Sequence, residues 1–317
     1  MRNKYCFVLV MLISISLVCA GFTALYLSSE NNGSSEKELT IVTSFYPMYI
    51  AALNVVDGVD GINLQNLSQP QTGCLHDFQL TPEDMKLLSK ADVFIINGGG
   101  IETFMTDVAS AYPDLKIIQA CDGIELIREE EHEHEEEHEH EEEHNHGDVN
   151  SHAWMSVELY RKQIANIANH LSEIDKANSK SYLENAIIYD GELAKLADEQ
   201  QKLFNCSTNQ NIVIFHEAFA YVAQDYGLNV CAVMDLDEER QISAGEVADI
   251  ISSIEENSVK YILAEETYGA AMGKVIEAET DVKVIYLDPL NKGQYDKDSY
   301  IENMKANIKA IFSLFDE

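Results

Sequence analysis

Positive charge is scarce in this chain: 21 Lys and Arg stand against 55 Asp and Glu over 317 residues, a net charge of −34. Eleven of the acids lie in one stretch, Glu129 to His146, which carries no Lys or Arg; with those eleven charges removed from −34 the remainder is still −23. A chain this acidic is repelled by nucleic acid and by anionic lipid surfaces and attracts cations at long range. Histidine is also sparse outside that stretch, which holds six of the ten (His132, His134, His138, His140, His144 and His146) and leaves four. No His-Glu-x-x-His helix is present, since His216-Glu217 runs on to Ala218, Phe219 and Ala220; the common zinc-peptidase signature is therefore missing. Cysteine is limited to Cys6 and Cys19 in an apolar leader and to Cys74, Cys121, Cys206 and Cys231, which outside the cytoplasm would allow two disulfides in three connectivities. No sequence repeat relates one half to the other.

What is present begins with Arg2 and Lys4 ahead of an uncharged apolar run, Tyr5 to Leu27. Residues 1–27 read as a secretory signal or single membrane anchor, with the remainder exported and membrane contact confined to this segment. Cys19 would suit lipidation, but Val18 stands where a lipoprotein signal has a small residue. Residues 28–38 (SSENNGSSEKE) form a polar tether. The length suits two domains, and 46% hydrophobic content gives each a core.

Strand-like runs at 39–44, 62–67, 93–96 and 116–119 alternate with helical stretches after Pro47, Pro82 and Gly100. The alternation resumes with strands at 212–215, 230–233, 261–263 and 282–287, and a helix is expected to open at His216 and to stop at Gly227. Between the two series, Tyr160, Ile164, Ile167, Leu171 and Ile174 recur at four and three, an apolar seam on a helix starting near Ser156; a second long helix covers 182–204. The fold class is α/β, with parallel sheets covered on both faces, once per lobe. The domains divide as an N-terminal lobe, 39–127; a His/Glu-rich loop, 128–149; a connecting helix, 150–178; and a C-terminal lobe, 179–317.

Imidazole interleaved with carboxylate binds divalent transition metals, so the His-Glu run reads as a multivalent collecting segment of weak sites. With His170 taken as a helix-surface residue, His76, His152 and His216 each fall at an element boundary, and Asp288 ends a strand. Any one of them also suits a capping or packing role. Open α/β sheets bind ligands in the crevice beyond their carboxyl ends, and there three imidazoles and a carboxylate would make a mixed nitrogen and oxygen site suited to tetrahedral Zn(II), whereas manganese prefers more oxygen.

Gly73 to Glu102 (GCLHDFQLTPEDMKLLSKADVFIINGGGIE), Asn150 to Trp154 (NSHAW), Phe215 to Leu228 (FHEAFAYVAQDYGL) and Tyr286 to Leu290 (YLDPL) resemble, in order and spacing, the motifs of the metal-binding solute-binding proteins of zinc and manganese ABC importers. The His-rich insertion is similar to that of the zinc-specific members. The resemblance spans about residues 39–315. It implies two α/β lobes joined by a long rigid backbone helix, and Zn(II) held between them as transported ligand by His76, His152, His216 and Asp288. It further implies no catalysis, an ABC permease as partner, and an extracytoplasmic location; the chain is expected to be a monomer. Manganese members carry glutamate at the position of His216, so histidine there points to zinc. Val157 stands where relatives have proline, which bears on how the helix starts rather than on coordination. Glu265 and Glu266 follow a strand as in the family and receive no assigned role. The other readings are a manganese-carrying homologue, an exported zinc hydrolase using Glu217 as base, and a surface adhesin using the His-Glu run.

Overall fold

The alternation produces two four-stranded sheets of the same order. The first contains β1 (Leu39–Thr43), β2 (Ile62–Asn66), β3 (Val93–Ile96) and β4 (Lys116–Gln119), ordered β2-β1-β3-β4. The second contains β5 (Asn211–Ile214), β6 (Asn229–Val233), β7 (Tyr261–Ala264) and β8 (Lys283–Tyr286), ordered β6-β5-β7-β8. The pairings β1–β3 and β3–β4 in the first sheet, and β5–β6, β5–β7 and β7–β8 in the second, are parallel. Central strands β3 and β7 are buried throughout, as strands covered on both faces must be. The described residues of this computed structural model are Met11, Ser16, 38–68, 78–128, 149–204, 210–236 and 242–313. The leader apart from Met11 and Ser16, the tether up to Lys37, Cys74, His76, Cys206 and the six histidines of the run lie outside them.

The helices follow from local chemistry. Helix α1 (Tyr46–Val55) begins with Pro47 in its first turn, where no backbone donor is lost. Helix α2 (Pro82–Leu88) opens on a full capping box between Thr81 and Asp84, and α3 (Met105–Ala111) follows the Gly98–Gly100 turn. Helix α4 (Val157–Ile174) is capped by Ser156 and buries Tyr160, Ile164, Ile167 and Leu171, the seam its sequence displays. Next comes α5 (Ser179–Phe204), and α6 (Phe219–Tyr226) stops at Gly227, whose φ of 63 suits a left-handed cap. Helix α7 (Ala244–Glu256) carries a second capping box, Ser243 with Glu246; α8 (Glu266–Glu279) and α9 (Ser299–Phe312) complete the chain.

Residues 40–317 make one compact unit containing both sheets. Helix α4 is its spine. Asn166 on α4 donates to the carbonyls of Ala120 and Asp122 beyond β4, while Tyr160 donates to Pro47 of α1 and stacks at 3.8 Å on Tyr300 of α9. Among the described residues no helix is long and apolar enough to cross a membrane. Cys121 and Cys231 are both free thiols, so the connectivity that pairs them with each other does not form. Cys121 is buried and accepts from Gln163 Nε2 at 3.1 Å; burial pushes its thiol up to about 12, which makes it inert.

Candidate metal-binding site

Equal strand order gives the two sheets equivalent switch points, between β1 and β3 and between β5 and β7, and it is beyond the carboxyl ends there that a crevice forms. His216 leaves β5 in this position. The helix expected to open at His216 begins only at Phe219; His216 to Ala218 form a turn, closed by the Phe219 N–H donating to the His216 carbonyl at 3.0 Å. The strand therefore delivers the imidazole at its end rather than onto a helix face. Asp288 leaves β8 in the same way, two residues beyond the last paired one.

His152 arrives from a different element, a short 3-10 turn (Ala153–Met155) that precedes α4. Its ring lies 4.9 Å from that of His216, edge to face at 81°, and both residues are 1% exposed. Trp154, the only tryptophan and fully buried, packs 5.0 Å from His152 on one side and 5.0 Å from Phe45 on the other. Its indole Nε1 donates to the Pro289 carbonyl at 2.9 Å, which ties the His152 segment to the turn carrying Asp288. Tyr300 donates to the Trp154 carbonyl at 2.7 Å from the other side.

The Asp288 turn is held tightly. Asp288 Oδ1 accepts the Leu290 N–H at 2.8 Å, and Leu290 sits at φ 56, uncommon for a bulky side chain. Asn307 on α9 bonds both main-chain groups of Asp288. Burial pushes the Asp288 carboxyl above its ordinary range; the Leu290 N–H holds it down, the Glu265 charge adds to the rise, and Lys292 opposes it. Glu265, 4% exposed at the end of β7, accepts from Lys292 Nζ at 2.7 Å. Glu265, Lys292 and Asp288 share a cavity of about 360 Å³ with Glu266, Thr267 and Asn307.

The structure thus brings His152 and His216 together and anchors Asp288 to the His152 segment through Trp154 and Pro289. His76 and the six histidines of the run lie outside the described residues, and His170 is a partly exposed position on α4, apart from this cluster. Among the described residues no three His, Cys, Asp or Glu side chains make a group able to hold a metal. Two donors of the expected four are in contact.

Sequence reasoning assigned no task to two buried polar residues around this centre. Asn150 is 3% exposed and contacts both histidine-bearing segments. Glu102, 4% exposed, accepts from Ser44 Oγ and the Asn97 N–H at 2.8 Å each and from the Gly98 N–H at 3.0 Å. Burial pushes its carboxyl up to about 7 against those three donors. Asn97 continues the network, donating to the Ser151 carbonyl at 2.9 Å, one residue before His152. Motif spelling signals both residues: Asn150 opens NSHAW, and Glu102 closes the triple-glycine turn.

The profile of a family described as "ZnuA: Zinc-uptake complex component A periplasmic" matches residues 41–313. The High-affinity zinc uptake system protein ZnuA of Bacillus subtilis (strain 168) is 29% identical over 293 residues, covering 90% of this chain and 91% of that one. The Zinc-binding protein AdcA of Streptococcus pyogenes serotype M3 is 27% identical over 317 residues and covers 95% of this chain, which in turn spans 60% of the length of AdcA. Among solved structures, the solute-binding protein FpvC of Pseudomonas aeruginosa with Ni2+ superposes with a TM-score of 0.75 at 24% identity, covering 88% of this chain and 97% of its own; that likeness speaks for the fold.

Proposed function

Because this chain belongs to the family of periplasmic zinc-uptake components, we propose that it captures Zn(II) outside the cytoplasm and delivers it to the permease of an ABC importer, as a monomer and without catalysis. The single observation that carries the reading is the pair of buried imidazoles, His152 and His216, in contact at a strand-end crevice. Water is excluded there, and two neutral nitrogen donors suit zinc. His76 and Asp288 complete the proposed set of four. Zinc, not manganese, is the proposed cargo because His216 supplies nitrogen where an oxygen donor would suit manganese.

The ligands bind as neutral imidazole and ionised carboxylate, so protons compete with the metal and affinity falls as pH drops through the histidine range. The lobes (39–127 and 179–317), the connecting segment (150–178) and the N-terminal signal or anchor (1–27) are assigned as in the sequence reading. The His-Glu run is an accessory of weak exchangeable sites. Its two flanks are joined by an antiparallel bridge between Arg128 and Val149. Deleting 129–146 leaves Gly147-Asp148 between the bridged residues, a two-residue hairpin connection with glycine at the first position, so the deletion should not disturb the fold.

The test is zinc titration against a competing chelator. His216→Ala and His152→Ala should each lose more than the ten- to hundredfold that even an outer supporting partner contributes. The deletion of 129–146 should keep tight binding, and manganese should be the weaker competitor. Equal losses from His216→Ala and from a single histidine of the run would overturn the assignment; loss of all tight binding on deletion would favour the adhesin reading.

A further inference from the structure

Asn150 is fixed in orientation by two backbone groups whose polarity cannot be exchanged. The His152 N–H donates to Asn150 Oδ1 at 3.0 Å, and Asn150 Nδ2 donates to the Glu217 carbonyl at 2.9 Å. A backbone N–H only donates and a carbonyl only accepts, so the amide oxygen must face His152 and the nitrogen must face Glu217. That same oxygen lies 3.0 Å from Nδ1 of the His152 ring. An amide oxygen has no hydrogen to give, so this contact requires the proton on Nδ1. In the neutral ring the lone pair is then on Nε2.

Resting on the reading of His152 as a zinc ligand, we infer that Asn150 is a positioning residue that selects the His152 tautomer, making Nε2 the metal-binding nitrogen, and tethers the His216 turn to the same amide. One side chain thus sets the chemistry of one ligand and the placement of the other, since Glu217 is the next residue after His216. The main chain of Asn150 is held by two bonds whose partners are bonded to each other. Its N–H donates to the Ile127 carbonyl at 2.8 Å, its carbonyl accepts from Tyr221 Oη at 2.6 Å, and Tyr221 Oη accepts the Ile127 N–H at 3.1 Å. With Arg128 bridged to Val149, the His-Glu run departs from and returns to a closed neck.

Asn150→Ala removes both the acceptor and the tether; Asn150→Asp keeps an acceptor for Nδ1–H but loses the tether and sets a carboxylate oxygen against the Glu217 carbonyl. The metal-free full chain, with 15N-labelled histidine, is examined above the ordinary imidazole range, at about pH 8; the His152 signals are identified by their absence in His152→Ala. Wild type and Asn150→Asp should show the Nδ1–H tautomer, and Asn150→Ala should shift toward Nε2–H. Zinc affinity should fall about ten- to hundredfold in Asn150→Ala and less in Asn150→Asp. An Nε2–H tautomer in wild type overturns the inference whether or not any variant folds. So does Asn150→Ala with unchanged tautomer and affinity, or an Nε2–H tautomer in Asn150→Asp. His152→Ala, titrated in parallel, keeps the two claims apart: wild-type zinc affinity there refutes the ligand assignment, whereas the tautomer measurement bears on Asn150 alone.

Discussion

Adding one methyl group at Gly99 should weaken both the fold and the metal site, and a control glycine separates the two costs. Gly99 follows β3 in a turn of three left-handed glycines, with φ values of 84, 70 and 93. A Cβ there would meet Leu126 Cδ1 at 2.7 Å, Ser151 Cβ at 3.2 Å and Ser151 Cα at 3.5 Å. Leu126 is a partly exposed side chain that can turn aside. Ser151 is pinned by Asn97 and precedes His152, so the residual push falls on the His152 segment. The left-handed conformation costs alanine about 1–2 kcal/mol, and overpacking adds about 1–3 kcal/mol. Gly123 has φ 67 and nothing within 4 Å of an added Cβ, so Gly123→Ala bears only the first cost. Thermal unfolding should therefore rank wild type above Gly123→Ala above Gly99→Ala, the two variants differing by about 1–3 kcal/mol. Zinc affinity should fall only in Gly99→Ala, by about tenfold for each 1.4 kcal/mol of strain that the bound geometry must absorb. Equal destabilisation by the two substitutions, or unchanged zinc affinity in Gly99→Ala, would refute the reasoning.

Three further outcomes are expected. Trp154, 5.0 Å from the His152 ring and the sole tryptophan, should change its fluorescence on zinc addition, and a flat emission titration under saturating zinc would argue against metal at His152. Thr81→Ala and Ser243→Ala each break a capping box and should lower stability by about 1 kcal/mol while leaving chelator-competition curves unchanged. Glu102 is raised to about 7 from an ordinary 4.5, so between those values the folded state holds a proton that the unfolded chain releases. Stability should accordingly fall as pH rises from about 4.5 to 7, and denaturant titrations of Glu102→Gln should show a shallower decline over that window whatever its absolute stability.

Local signals placed nearly every element. All eight strands lie within about two residues of the apolar runs that announced them, and the helix starts near Pro82 and Ser156 and the stop at Gly227 fall where the sequence places them. The helix start at His216 was misplaced because the Ala- and aromatic-containing run after His216 carries no breaker, while the chain needs the four residues 215–218 to leave β5 and cross to α6. The shared order of the two sheets left no trace in sequence, since order is a matter of which runs pair and not of what they contain. Cys121 was open to a disulfide on composition alone; its burial against Gln163 and Asn97 is a tertiary fact. The supporting tasks of Asn150 and Glu102 were illegible for the same reason. An asparagine or a glutamate in a motif looks like any turn or surface residue until the backbone groups that face it are known.

The five residues from Asn150 to Trp154 are the point at which those tertiary facts converge. Asn97, at the end of β3 in the first sheet, donates to Ser151. Asn150 donates to Glu217, beyond β5 in the second sheet. Trp154 donates to Pro289, beyond β8, and accepts from Tyr300 of α9. Each bond joins this segment to a different strand end or helix; the Asn150–Glu217 bond is part-buried and the other three are buried, where a hydrogen bond left unmade costs about 1–3 kcal/mol. The spacing between His152, His216 and the Asp288 turn is thus set largely by backbone-directed bonds to one short segment. If these groups hold zinc as proposed, the metal can be gained or lost without unmaking the hydrogen bonds that position this segment.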